Sequence, residues 1–184
     1  MDYLAVLIVL VAVVWTNVYY KFWKDQHRII VQDVILYYEY LPSAFIYKDL
    51  TMSFTKSDPE FFQEKIWKIP TGNGKAVSKM TMGIAVIYSP FFMVAHWLAK
   101  PLGYQADGYT TPYRIALIVS SIFYSFLGLI FLMKLLRNYF DRKETAITIV
   151  ALGIGTNLYF YTTIEPTMSH AYSFFLFSVF IYSI

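Results

Sequence analysis

The sequence predicts an all-α fold: a polytopic helical membrane protein whose first span leads into a long loop of short amphipathic or interfacial helices. Three observations predict it. Apolar runs close to the ~20 residues that a spanning helix needs recur along the chain. Hydrophobic residues make up 58% of the chain, above the ~45–50% of an ordinary soluble domain. Tyr and Phe dominate an aromatic share of 20%, and such rings suit lipid and its interface with water.

The first element is Leu4–Tyr20, almost purely apolar and closed by Trp15, Tyr19, Tyr20 and Trp23 as an interface belt. No basic stretch precedes it and no small-residue cleavage site follows, so it reads as an uncleaved span rather than a signal peptide. From Lys21 to Lys79 the chain turns polar and mixed. A helical fragment over Gln32–Tyr40 should end at Leu41-Pro42, because proline disfavours helix in the residue before it. Ser57-Asp58-Pro59-Glu60 reads as a capping box, with Ser57 as N-cap and Glu60 at N3, opening a helix over about Asp58–Trp67 that Pro70 closes. Thr71-Gly72-Asn73-Gly74 reads as a flexible turn.

Gly83–Ala99 admits two readings. At ~1.5 Å per residue it measures roughly 25 Å, short of the ~30 Å hydrocarbon core. Pro90 removes a backbone hydrogen bond in its middle. It either lies in the interface as two short helices or crosses as a kinked span. Pro101–Pro112 is a polar turn. Tyr113–Leu136 is a clear span, a charged loop follows, and Thr145–Ile164 is a second clear span loosened by Gly153 and Gly155. Residues 170–184 read as the start of a further span. Residues 1–184 are thus taken as one membrane domain, with 21–112 as its loop. The chain is expected to be the N-terminal part of a longer protein, integral and multi-pass, in the inner (cytoplasmic) membrane if its source is bacterial.

Composition also excludes several chemistries. With no cysteine, there is no disulfide, Cys-ligated zinc or thiol nucleophile. The net charge of +3 is spread among apolar segments, which argues against nucleic acid. His27, His96 and His170 match no standard metal spacing. Topology stays open at this level. Lys134, Arg137, Arg142 and Lys143 mark one face as cytoplasmic, but Lys21, Lys24 and Arg28 beside the first span pull the other way.

The order of features nevertheless has a likeness. A first span is followed by QDVILYYEYLPSAFIYKDL, with Asp33 about a dozen residues beyond the membrane. Then come KMTMGIAVIYSPFFMVAHWLAKPLGY, GYTTPYRIALIVSSIFYSFLGLIFLMKLLRNYF and IEPTMSHAYSFFLF. This resembles the N-terminal part of GT-C type membrane glycosyltransferases that use polyprenyl-phosphate sugars, such as the protein O-mannosyltransferases and lipid A aminoarabinose transferases. Two departures stand out: the family's Asp-Glu is Asp33-Val34 here, and its lysine before two prolines is Lys79-Met80-Thr81.

The resemblance implies an interfacial Gly83–Ala99 and a site on the extracytoplasmic face. It implies sugar transfer from a lipid phosphate to an acceptor hydroxyl or amine. Asp33 would be the general base. Lys79, with Lys75, would hold the departing phosphate. Glu165 and His170, in the polar stretch EPTMSH, would orient the acceptor or assist Asp33. A divalent metal ion bridging these groups fits the same chemistry. Membrane lipid and the lipid-linked sugar are the implied partners. The alternative is a non-enzymatic membrane subunit or a transporter fragment, with Pro90 marking a discontinuous helix.

Overall fold

A computed structural model describes residues 1–72 and 76–184. The chain is 67% helix and 3% strand, and it divides into two compact units. Unit 1 holds residues 1–22 and 118–184; unit 2 holds residues 23–117.

Unit 1 is built from apolar helices. Helix α1 (Asp2–Tyr20) and helix α5 (Thr111–Leu136, which enters the unit at Ile118) are each long and apolar enough to cross a membrane. The predicted span Thr145–Ile164 is instead two helices, α6 (Arg142–Gly155) and α7 (Asn157–Thr163), meeting at a 56° bend. Taken together they would make a third crossing. The bend follows from local chemistry. Thr156 is extended, and its hydroxyl caps α7 by accepting from Leu158 N–H at 3.2 Å while donating to Leu152 O at 2.7 Å. Helix α8 (Ser169–Tyr182) ends the chain.

Contacts within unit 1 fix the helix directions. Asp2, almost fully buried, pairs with Arg137 at 3.2 Å, so α1 begins where α5 ends. Further along α1, Val9 packs on Gly153, where an added Cβ would meet a valine methyl at 2.6 Å. At the far end Thr16 bonds Tyr159 at 2.6 Å, and the Asn17 amide donates to Thr162 O at 2.8 Å. Helix α1 therefore runs antiparallel to α5 and alongside α6–α7 in the same direction. Ala5, Val6, Val9 and Val13 form the seam with Leu129, Met133 and Ile149. The chain thus leaves this unit and re-enters it at the same end, and the turn after α7 lies at that end too.

Unit 2 gathers short elements around aromatic side chains. Helix α2 (Asp33–Tyr38) ends before Pro42, in line with the expectation, and a π-helical turn the sequence reading did not include follows over Pro42–Ile46. Proline lacks only the N–H, and its carbonyl accepts from Tyr47 at 2.9 Å, so a widened turn accommodates it. The expected cap at Ser57 shifts. Asp58 is the N-cap, accepting from Phe61 N–H at 3.0 Å, while the Ser57 hydroxyl turns back to Phe54 O. Helix α3 covers only Pro59–Phe62. Strand β1 (Lys68–Pro70) then pairs antiparallel with β2 (Ala76–Ser78), a hairpin that the sequence reading did not include. Asn73 and Gly74, read from sequence as turn residues, lie outside the described residues.

Gly83–Ala99 forms a single helix, α4, despite Pro90. Pro90 cannot donate to Val86 O, and the Ser89 hydroxyl does so instead at 2.7 Å. One face of α4 buries Ala85, Tyr88, Phe92, Ala95 and Ala99. The opposite face leaves Val86, Met93, Val94 and Trp97 exposed, without a charge among them.

Candidate functional site

The structure divides the predicted site residues between the two units. Asp33 opens α2 in unit 2 and is exposed, with no ion pair or side-chain hydrogen bond among the described residues. The residue before it, Gln32, has φ 49 and ψ −131, a conformation natural to glycine and strained for any other residue. That strain turns the chain sharply into α2 at the aspartate.

Lys79 is also exposed. Its neighbours tie its backbone to the α2 region: Ser78 donates to Leu36 O at 2.9 Å, and Tyr40 donates to Met80 O at 2.6 Å. Lys75 lies outside the described residues. Glu165 and His170 belong to unit 1. Glu165 is half-buried, and the exposed His170 ring stacks on Tyr161 with centroids 3.5 Å apart and planes 1° from parallel.

Unit 2 contains a cleft of about 790 Å³. Val31 and Gln32, immediately before Asp33, line it. So do Lys65, Asp107, Tyr109 and Arg114. Arg114 sits in the first turn of α5 and is 8% exposed. Its guanidinium donates to three neutral acceptors: Trp23 O at 2.7 Å, Tyr109 O at 2.8 Å and Thr111 Oγ1 at 3.0 Å. No carboxylate forms an ion pair with it among the described residues. The Asp107 carboxylate nearby is itself occupied by the Tyr109 and Thr110 amides at 2.7 and 3.1 Å. A buried cation is normally paired. One held rigidly by neutral groups, at the wall of an open cleft, retains its charge for an incoming anion.

Lys65 adds a second positive group to this wall, with its ammonium 3.9 Å from the Phe61 ring centre and 2.9 Å from Phe61 O. Negative charge is present as well, because Glu64 lines the cleft and lies 3.5 Å from His27. The aromatic wall is braced from behind. Tyr38 donates to Gly108 O and packs edge-on against Tyr109 and Phe92, while His96 and Tyr113 are joined at 2.7 Å. Gly108 needs its glycine: φ is +93, and an added Cβ would meet Pro42 at 3.1 Å.

A second acid emerges from the fold. Glu39 was only one loop carboxylate among several in the sequence, yet it is fully buried. Its Oε2 accepts from Trp67 N–H at 2.9 Å, and its Oε1 meets no donor among the described residues. Burial raises its carboxyl above the ordinary 4.5, and the Trp67 amide pulls it only part of the way back. The folded state therefore holds this proton more tightly than the unfolded chain. Its contribution to stability is complete below about pH 4.5 and is lost as pH rises through the raised value. Melting curves between pH 5 and 8 should fall with rising pH, and Glu39→Gln should flatten that slope and be the more stable at pH 8. Asp49 does not interfere in this window. Hydrogen bonds from Ser53 and then Thr51 hold it below 3.8, so it stays ionised throughout.

Among the described residues no group of three His, Asp or Glu side chains comes together as a metal site. No family model, curated protein or solved structure matches the chain.

Proposed function

We propose that the chain is a membrane domain that transfers a sugar from a polyprenyl-phosphate donor to an acceptor hydroxyl or amine. The observation that carries this reading is the Arg114 guanidinium, a buried cation in neutral hydrogen bonds at the wall of a cleft that Asp33 adjoins. Sugar transfer from a lipid phosphate needs both charges. Fixed positive charge stabilises the phosphate as the sugar leaves it, and a free carboxylate takes the proton of the attacking group. Arg114, with Lys65, supplies the first, and Asp33 supplies the second. Lys79, anchored beside α2, is the mobile cation of the set. The resemblance of the sequence to GT-C type transferases supports the same assignment.

Helix directions support the membrane side of this reading. The chain leaves unit 1 and re-enters it at one end, so the segment between α1 and α5 crosses the bilayer an even number of times. On this reading α4 does not cross alone, and its exposed apolar face rests in the interface. Lys134, Arg137, Arg142 and Lys143 lie at the opposite end of unit 1 and mark it as cytoplasmic.

Single cysteines test this topology cleanly in a chain without native cysteine. Thr81→Cys and Gln105→Cys flank α4 and should both react with an impermeant maleimide added outside intact cells, whereas Arg142→Cys should not. Labelling of Thr81→Cys and Gln105→Cys from opposite sides would make α4 a crossing and remove the extracytoplasmic site. The bent α6–α7 pair favours the rival reading of a transporter fragment, since broken spans line transport sites. That reading predicts uptake or release of a solute without any covalent change to it.

A further inference from the structure

Unit 1 contains a recess of about 550 Å³ where α6, α7 and α8 meet, at the 56° bend. Six of its nine lining residues are polar (Thr156, Asn157, Tyr161, Ser169, His170 and Ser173), and none is Lys, Arg, Asp or Glu. Elsewhere in the unit, several polar side chains are tied to the backbone, although the buried Ser125 and Thr145 hydroxyls meet no partner among the described residues. Asn17 donates to Val13 O and Thr162 O, Thr148 to Glu144 O, Thr162 to Leu158 O and Ser178 to Phe174 O. In the recess, Asn157, Ser169 and Ser173 make no side-chain hydrogen bond among the described residues. The Tyr161 hydroxyl is free in the same sense, and the His170 ring only stacks on Tyr161.

Polar groups with no internal partner cannot rest against hydrocarbon, so at a helix break they face water or a ligand. The chemistry of the set narrows the ligand. Amide, hydroxyl and imidazole groups together offer donors and acceptors in mixed order, and two flat rings offer an apolar face. Nothing in the lining neutralises a phosphate or carboxylate. A neutral ring bearing several hydroxyls answers all three features, and the volume falls within the ~300–1,000 Å³ of ligand pockets.

We propose that this recess is a pyranose-binding site, distinct in chemistry from the cationic cleft of unit 2. As a substrate site it rests on the transferase reading; as a binding site it stands on the recess alone. Saturation-transfer NMR on the protein in phosphocholine micelles tests it, since no glycoside detergent then competes. The probes are the methyl glycosides of glucose, galactose and mannose.

At least one glycoside should receive saturation at its ring protons. The signal should fall at least fivefold in both Asn157→Leu and Ser173→Ala, with melting temperatures confirming that each variant is folded. Lys56→Gln, at an exposed position of unit 2, should leave the signal unchanged. No transfer to any of the three sugars overturns the proposal, as does a signal that survives both recess substitutions in folded protein. Glycoside binding retained in a protein that proves unable to transfer sugar would sink the transferase reading and leave this site standing.

Discussion

Asp33→Asn should lower the rate of sugar transfer by roughly 10²–10⁴-fold, the range that a positioned general base contributes, while donor binding is unchanged. The reason for that split is geometric. The Asp33 carboxylate is exposed and uncommitted, so asparagine fits in its place and removes only the capacity to take a proton. The cost to the fold should be small. At the first turn of a helix an exposed carboxylate contributes about 0.3–1 kcal/mol through the helix dipole. The measurement is an initial rate at saturating donor, paired with a donor affinity. A rate unchanged within twofold would remove Asp33 as the base.

Arg114→Gln should weaken binding of a polyprenyl phosphate by about 30-fold or more. Losing one member of a buried, hydrogen-bonded charge pair costs about 2–5 kcal/mol, and each 1.4 kcal/mol is about tenfold. Under the proposed function the pair forms only when the phosphate arrives, so the loss should appear in binding. The substitution also strips donors from Trp23 O, Tyr109 O and Thr111 Oγ1. A stability loss of about 1–3 kcal/mol should accompany it. Arg114→Lys separates the two effects: it keeps the charge but not the planar fork. It should recover part of the phosphate affinity while remaining less stable than the native protein. If Gln and Lys weaken binding equally, charge is not what the cleft contributes.

The sequence carried the long apolar elements well, because a single physical demand sets them. Burying some 20 residues in hydrocarbon needs only composition, and Leu4–Tyr20 and Tyr113–Leu136 recur as α1 and α5 with small changes at their ends. Where two local signals compete, sequence alone chose the wrong one. Ser57 and Asp58 are both good caps; Asp58 takes the position, and Ser57 is used to close the turn before it. Pro42 marked the end of α2, but nothing in the sequence announced the π-helical turn that begins at it. Gly153 and Gly155 flagged a loosened helix, but the break itself comes from the Thr156 cap. The β1–β2 hairpin has three-residue strands, one ending in proline, too short for alternation to show.

The site was less legible for a different reason. Asp33 and Lys79 follow from order along the chain, whereas Arg114 and Glu39 acquire their character only from folding. Arg114 did carry a signal: an arginine within the first turn of an apolar span is costly in lipid, and such residues are by default functional. Glu39 carried none, since nothing in YYEYLP separates a buried acid from a solvated one.

The most direct test of sugar transfer is to reconstitute the full-length protein in liposomes with a synthetic polyprenyl-phosphate hexose and follow release of free polyprenyl phosphate. Native protein should release it in step with the appearance of glycosylated acceptor. Asp33→Asn should bind donor without releasing it, and Arg114→Gln should bind it poorly. Release by the Asp33→Asn protein at the native rate, or donor affinity unaltered by Arg114→Gln, would contradict the account.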